Sequence, residues 1–228
     1  MDPLIEAVVF DAYGTLFDVY SVGALAERLF PGHGSRLAVL WRDRQIDYTR
    51  LRTLSDRWAD FRIVTADALD WAAAALGLDM TGPARERLLD EYDRLAAFPE
   101  ILPALQRLRR AGLALAILSN GTRPMLESAV ASAGLDGLFD HMLSADQVRR
   151  FKTAPELYQL APDAFGRPAG AILFVSSNGW DACGATWFGF TSFWVNRSGL
   201  PAERLGVQPT GTGPDLDAAA SFALARIG

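Results

Sequence analysis

The sequence is poor in the residues and segments that mark several classes of protein. A single cysteine, Cys183, stands among 228 residues, so no intrachain disulfide can form and a reducing compartment is expected. No apolar run is long enough to span a bilayer, and no basic segment of the kind that opens a signal peptide precedes the first apolar run. We therefore expect a cytoplasmic protein with no membrane partner.

Positive charge is also in short supply. The 22 Lys and Arg residues are outnumbered by 27 Asp and Glu residues, which leaves a formal net charge of −5. Nucleic-acid binding depends on clustered cations that neutralise phosphates, so this balance argues against a nucleic-acid partner. Hydrophobic residues, in contrast, make up 50% of the chain, enough for one sizeable core or for a core with a small second domain.

Outside residues 19–97, short apolar runs alternate with helical patterns. Strands are predicted at residues 4–10, 113–118, 142–144, 171–176 and 191–195. Such alternation is typical of a parallel sheet with helices on both faces. The predicted fold class is therefore α/β, with a doubly wound, mainly parallel sheet.

Residues 19–97 have helical patterns throughout. We predict a helix over residues 21–30, one long helix over residues 35–61, a third helix capped by Thr65 and a fourth that begins at Thr81. The sequence thus predicts a core domain made of residues 1–18 and 98–228. A helical cap domain, residues 19–97, is inserted after the first strand.

Polar side chains follow three of the predicted strands at the points where those strands end. Asp11 follows the first strand, residues 119–120 follow the second, and the polar segment 176–181 follows a later one. Taken singly, these residues could be an Asp-led turn and ordinary helix caps. Because ligands bind beyond the carboxyl ends of parallel strands, the clusters should meet there, and Lys152 could join them from its loop. Together they indicate a functional site.

Five segments carry a resemblance to a known family. They are FDAYGTLFDV at 10–19, WRDRQIDYTRLR at 41–52, LSNG at 118–121, FK at 151–152 and FVSSNGWD at 174–181. With these motifs the chain resembles the L-2-haloacid dehalogenases of the haloacid dehalogenase superfamily. The resemblance implies a Rossmann-like core with a helical cap, and hydrolysis of short L-2-haloalkanoic acids to D-2-hydroxy acids and halide. It implies no cofactor and no metal, and it makes a homodimer possible.

The resemblance also implies roles for individual residues. Asp11 is the expected nucleophile, which displaces halide from C2 of the substrate and forms an ester. Lys152 keeps the Asp11 carboxylate ionised. Ser119, with backbone N–H groups near Ala12, Tyr13 and Asn120, is expected to hold the substrate carboxylate.

Three further sets of residues follow from the same resemblance. The expected halide cradle consists of Arg42, Asn120 and the ring of Trp180. The expected polar ring consists of Thr15, Tyr158, Ser176, Asn178 and Asp181, of which Asn178 and Asp181 are placed to activate water. The expected apolar substrate wall consists of Tyr13, Ile46, Phe61 and Trp180. The simpler alternatives are a solvated helix residue for Arg42 and ordinary core packing for the wall.

Two other functions stay open on the same fold. A phosphatase of this superfamily has an acid two positions after its nucleophile, where this chain has Tyr13, and losing a general acid costs a factor of roughly 10²–10⁴. Such phosphatases also use paired acidic groups for Mg²⁺, whereas the segment 176–181 holds only one, Asp181. A halide leaves as a stable anion and needs no proton, so dehalogenation is favoured. The other alternative is a catalytically silent, dimerising binding domain.

The chain departs from the family pattern at two positions. Asp43 stands where a glutamine commonly follows the arginine, and Thr153 replaces the proline after Lys152. Thr153 lifts the restriction that proline would place on the backbone of Lys152. A carboxylate at position 43 pointing into the site would repel an anionic substrate by about 4 kcal/mol at 4 Å and an effective dielectric of 20. We therefore expect Asp43 to face solvent or to pair with Arg44 or Arg50.

The residues at positions 13 and 176–178 predict that the enzyme works without a metal, because they leave too few carboxylates for a Mg²⁺ site. Halide release should be the same with and without excess EDTA. A large loss of activity that Mg²⁺ restores would instead indicate phosphoryl-transfer chemistry.

Overall fold

A computed structural model describes residues 4–227 of the chain. Within these residues the strands form one parallel sheet in the order β3-β2-β1-β4-β5-β6. The strands are Ala7–Phe10 (β1), Ala114–Ser119 (β2), His141–Ser144 (β3), Ile172–Ser176 (β4), Thr191–Val195 (β5) and Gly211–Gly213 (β6). The helices are Val22–Leu29 (α1), Gly34–Leu54 (α2), Phe61–Ala75 (α3), Gly82–Tyr92 (α4), Ile101–Arg110 (α5), Arg123–Ser132 (α6), Pro155–Phe165 (α7), Gly179–Phe188 (α8) and Leu216–Leu224 (α9).

The position of β1 in the sheet places the site. All four of its residues, Ala-Val-Val-Phe, are buried, as expected for a central strand covered by helices on both faces. β1 pairs with β2 on one side and with β4 on the other, so the strand order reverses beside it. A crevice opens at such a switch point beyond the carboxyl ends of the strands. Asp11 directly follows β1 there, and the predicted doubly wound fold is confirmed.

Strand β6 was not predicted because Gly-Thr-Gly has no apolar pattern. Tertiary packing explains its composition. A Cβ atom built on Gly211 would lie 2.6 Å from a ring carbon of Phe222, and one on Gly213 would lie 2.9 Å from the ring of Phe193. Glycine therefore lets these rings pack against the backbone of β6.

The predicted long helix over residues 35–61 is wrong, as is the cap at Thr65. Helix α2 ends at Leu54 and α3 begins at Phe61. The cap of α3 is Asp60, whose side chain accepts a hydrogen bond from the Ile63 N–H at 2.9 Å. Thr65 lies inside α3, where its hydroxyl donates to the Phe61 carbonyl at 2.7 Å. The predicted cap of α4 at Thr81 is confirmed.

Two connecting segments join helices α1–α4 to the sheet. They run side by side, because the Asp18 N–H donates to the Ala96 carbonyl at 2.8 Å and the Phe98 N–H donates to the Leu16 carbonyl at 3.2 Å. Between α2 and α3, the indole N–H of Trp41 donates to the Thr65 carbonyl at 2.8 Å. In the part of the chain from residue 4 to residue 227, no helix has the length and apolar composition that crossing a membrane requires.

Candidate active site

The centre of the site is an ammonium group between two buried carboxylates. The Lys152 Nζ atom lies 2.8 Å from Asp11 Oδ1 and 2.9 Å from Asp181 Oδ2. All three side chains are at least nine-tenths buried. Lys152 is the only lysine in the sequence, and it is held in this position although Thr153 replaces the expected proline. Asp181 also accepts a hydrogen bond from the Tyr158 hydroxyl at 2.7 Å.

The second oxygen of Asp11 is held by neutral donors. Asp11 Oδ2 accepts from the Thr15 hydroxyl and from Asn178 Nδ2, each at 2.9 Å. The Thr15 oxygen accepts from the Ser177 N–H at 2.8 Å, which leaves the Thr15 hydrogen for Asp11. Ser176 lies 3.5 Å from the same oxygen, at the outer limit of a hydrogen bond. Gly14, with φ +93°, makes the turn that brings Thr15 back over the carboxylate.

The protonation states follow from burial and charge. Burial alone would lower the pKa of Lys152, but the adjacent carboxylates outweigh it and raise that pKa above its ordinary value. Burial raises the pKa of Asp181 above its ordinary value, although Lys152 pulls the other way. Burial, reinforced by Asp181, raises the pKa of Tyr158 well above its usual range. At neutral pH Lys152 is therefore charged and Tyr158 is a neutral donor.

A narrow cavity opens beside Asp11. Its volume of about 10 Å³ is close to the space that one water molecule needs, so its walls close tightly around the carboxylate. The lining residues are Asp11, Tyr13, Arg42, Ile46, Thr49, Phe61, Ser119, Asn120, Asn178 and Trp180. Asp181 and Tyr158 lie outside this lining, behind Lys152. Ala12 also lies outside it.

Arg42 brings a buried positive charge to the cavity without a carboxylate partner. Only 8% of the residue is exposed. Its guanidinium donates to Gln45 Oε1 at 2.8 Å and to the Tyr13 carbonyl at 3.0 Å, and Asn178 Oδ1 lies at 3.5 Å. Across residues 4–227 no Asp or Glu forms an ion pair with it. A buried cation held only by neutral acceptors favours binding of an anion.

Further donors face the same space. The Ser119 oxygen accepts from the Gly121 N–H at 3.0 Å, which leaves its own hydrogen to donate. Asn120 Oδ1 accepts from the Lys152 N–H at 2.8 Å, so the amide nitrogen of Asn120 is left for another acceptor. The N–H group of Tyr13, which lines the cavity, has no acceptor among the described residues, and neither has the N–H group of Ala12 outside the lining. The cavity is thus rich in donors.

The apolar wall is an aromatic stack. The Tyr13 ring packs on Phe61 at 5.2 Å and on Tyr92 at 5.5 Å between ring centroids. The Trp180 ring is covered by the guanidinium of Arg50 at 4.8 Å. Burial raises the pKa of the Tyr13 hydroxyl well above its usual range. Tyr13 therefore stays a neutral phenol and is a poor substitute for the carboxylic acid that phosphatases have at this position.

Comparison with known proteins places the chain in a family. A sequence profile described as haloacid dehalogenase-like hydrolase matches residues 5–189. An (S)-2-haloacid dehalogenase from Pseudomonas sp. (strain YL) is 47% identical over 205 residues, which cover 90% of this chain and 88% of that protein. The chain belongs to the L-2-haloacid dehalogenases.

Solved structures of L-2-haloacid dehalogenases have the same fold. One is 60% identical, with a TM-score of 0.95 over 97% of this chain and 99% of that one. The enzyme from Xanthobacter autotrophicus, with chloropropionic acid covalently bound, is 38% identical, with a TM-score of 0.90 over 97% of this chain and 99% of that one. That dehalogenase therefore forms a covalent adduct with its haloacid.

The structure brings two residues into this dehalogenase site that the sequence did not point to. Thr49 lines the cavity, and Gln45 holds Arg42 from behind. On α2, Gln45 lies one turn and Thr49 lies two turns after Arg42, on the same face as Ile46. Helical spacing from Arg42 could have identified them. Lys152 also stands out in the sequence as its only lysine.

The expectation for Asp43 is confirmed. Its side chain is exposed on α2, on the outside of the helix, and it does not line the cavity. Neither suggested arginine pairs with it, because Arg44 lies over the Trp71 ring at 3.6 Å and Arg50 lies over Trp180.

Substituting Asp43→Asn should therefore leave the KM for a 2-haloacid nearly unchanged, because an exposed charge outside the cavity is screened by solvent. Steady-state kinetics on both proteins check this, with Asp47→Asn, another exposed carboxylate of α2, as the matched control. A fall in KM of about tenfold, equivalent to 1.4 kcal/mol, for Asp43→Asn alone would contradict the expectation.

Proposed function

We propose that this dehalogenase hydrolyses short L-2-haloalkanoic acids to D-2-hydroxy acids and halide through an ester of Asp11. The observation that carries the proposal is the pairing of a buried, lysine-bound carboxylate with an arginine that has no carboxylate partner across a narrow cavity. The first group supplies a nucleophile, and the second supplies a place for the anion that leaves.

In the first step, an Asp11 oxygen attacks C2 in line with the carbon–halogen bond. The new oxygen–carbon bond forms as the carbon–halogen bond breaks, and the halide leaves with the electron pair. No proton is needed. Backside attack inverts C2, which converts an L substrate into a D product once the ester is cleaved at its acyl side. Lys152 and Asn178 hold the carboxylate in place for this attack.

The two ends of the substrate have separate partners in this proposal. The substrate carboxylate takes the Ser119 hydroxyl and the N–H groups of Ala12 and Tyr13. The halide takes the Arg42 guanidinium and the Asn120 amide nitrogen, with the Trp180 ring edge beside them. Ile46 and Phe61 cover the alkyl part. Two observations on the described residues support these roles. Arg42 has no carboxylate partner. Each of the other donors has no acceptor for the hydrogen in question.

In the second step, water attacks the ester carbonyl of Asp11 and the acyl–oxygen bond breaks. Asp181 receives one proton from water, a role that its raised pKa favours, and gives it to the departing hydroxyl oxygen of the product; the regenerated Asp11 carboxyl releases the other proton to solvent. Tyr158 orients Asp181, and Asn178 helps to place the water. Whichever Asp11 oxygen stays as the carbonyl keeps its own donor, Lys152 at Oδ1 or Thr15 at Oδ2, and that donor meets the negative charge that develops there.

We also propose that no metal takes part. Lys152, which lies between the two carboxylates, supplies the positive charge that a divalent cation would bring.

The proposal extends to a core of residues 1–18 and 98–228 with a cap of residues 19–97, supported by the paired connecting segments. We further propose that the protein is a cytoplasmic homodimer without membrane or nucleic-acid partners. The single cysteine supports that location, and the acidic balance argues against a nucleic-acid partner.

The purified protein should release chloride from L-2-chloropropionate and should leave the D enantiomer and p-nitrophenyl phosphate intact. Ion chromatography measures the chloride, and a folded Asp11→Asn variant is the blank. A folded protein that turns over no 2-haloacid would favour the silent binding domain. Phosphate release would favour the phosphatase.

The ester itself predicts where oxygen goes. In a single turnover with excess enzyme in H₂¹⁸O, solvent oxygen should enter the Asp11 carboxylate, because water attacks the ester carbonyl. The hydroxy acid should be mostly unlabelled, because its new oxygen comes from Asp11. Mass spectrometry of the Asp11 peptide and of the product checks this. Label in the product with none in the peptide would show that Asp11 only activates water.

A further inference from the structure

Gln45 is fully buried on α2 and reaches the site only through Arg42. We propose that Gln45 is a positioning residue for the reaction, which holds the Arg42 guanidinium in the orientation that receives the leaving halide and does so without neutralising it. This inference rests on the halide-binding role proposed for Arg42.

The hydrogen-bond network determines which way the Gln45 amide faces. The Thr65 hydroxyl gives its hydrogen to the Phe61 carbonyl at 2.7 Å, so the Thr65 oxygen can only accept. It accepts from Gln45 Nε2 at 2.6 Å. Gln45 Oε1 must then face the opposite side, where it accepts from the Arg42 guanidinium at 2.8 Å. Thr65 on α3 thereby orients the Gln45 side chain on α2 so that its amide oxygen faces Arg42.

A second donor to the same oxygen ties this acceptor to the wall of the cavity. The Tyr92 hydroxyl donates to Gln45 Oε1 at 3.0 Å, and the Tyr92 ring stacks on Tyr13. The Tyr13 carbonyl in turn accepts from Arg42 at 3.0 Å. The Arg42 guanidinium therefore donates to two oxygens, Gln45 Oε1 and the Tyr13 carbonyl, and packing holds both of these oxygens in position.

The neutrality of Gln45 matters as much as its position. Surface arginines of this chain pair with carboxylates, such as Arg85 with Asp70 and Arg107 with Asp217. A carboxylate at position 45 would hold Arg42 equally well but would cancel its charge in a buried site. A glutamine oxygen orients the guanidinium and leaves its full charge for the anion.

Positioning of Arg42 should matter more for a poor leaving group than for a good one. The Gln45→Met variant keeps the side-chain volume and removes the acceptor. In single-turnover halide release, we expect the rate with L-2-chloropropionate to fall by about tenfold to a hundredfold, the range for a hydrogen bond to a charged group. The rate with L-2-bromopropionate should fall clearly less, so the bromide-to-chloride rate ratio should rise. KM should change little, since the substrate carboxylate binds elsewhere.

The Gln45→Glu variant tests the charge and also serves if Gln45→Met fails to fold. It keeps an acceptor for Arg42, and the Thr65 hydroxyl can turn its hydrogen from the Phe61 carbonyl to the other carboxylate oxygen, so the fold should be retained. Inhibition by added chloride should weaken by tenfold or more. Unchanged chloride inhibition in Gln45→Glu would overturn the proposal. Gln159→Met, an exposed glutamine on α7, is the matched control and should behave as the parent protein.

Two further variants separate the possible failures. Tyr92→Phe removes a hydroxyl that contacts both Gln45 and Arg42 but leaves the hydrogen bond between these two, so the bromide-to-chloride ratio should rise less than in Gln45→Met. A rise equal to that of Gln45→Met would indicate loss of packing and overturn the proposal.

The Arg42→Met variant should raise the bromide-to-chloride ratio most. If it does so while Gln45→Met slows both substrates equally, Gln45 has no positioning role; an unchanged ratio in Arg42→Met would overturn the role of Arg42 itself.

Discussion

The site depends on the contact of one ammonium group with two buried carboxylates. Removing a charge from water is costly. When a buried ion pair loses one partner, the folded protein is destabilised by roughly 3–5 kcal/mol. Lys152 meets Asp11 and Asp181 at 2.8 and 2.9 Å, so neither carboxylate is left without a counter-charge. With Arg42 the buried charges balance, two positive and two negative. In the proposed mechanism, this balance lets the site hold the Asp11 carboxylate as the nucleophile in a water-poor environment.

The proposed chemistry moves charge within that balance. When Asp11 becomes an ester, its negative charge disappears beside Lys152 and reappears on the halide beside Arg42. The two cations therefore act at the two ends of one displacement. Lys152 is bound by carboxylates and stabilises the starting state, whereas Arg42 is bound by the neutral oxygens of Gln45 and Tyr13 and is left for the product anion. A carboxylate beside Arg42 would remove this difference.

Several features could be predicted because they depend on short stretches of sequence. Burial of a continuous apolar strand and the rule for strand ends were enough to place Asp11, Ser119 and Asn178 at one edge of the sheet. The boundary between α2 and α3 could not be predicted this way. Phe61 continues the apolar spacing of α2 by coincidence, and both Asp60 and Thr65 are good capping residues. Only the packing of α3 on α2 decides that Asp60 caps the helix and that Thr65 holds Gln45.

The sequence by itself determined the alternation of strands and helices in the core as far as β5, the polar residues at the strand ends and, through its motifs, the family. These properties depend on residue type and on spacing along the chain. Tertiary structure decided which charges meet. Lys152 lies 141 positions from Asp11 along the chain, and Arg42 meets the Tyr13 carbonyl only because the connecting segments hold α2 over the edge of the sheet. Whether a buried cation keeps its charge for a substrate depends on its neighbours in space, such as Gln45 on α2 and the Tyr13 carbonyl, and these are set by the fold.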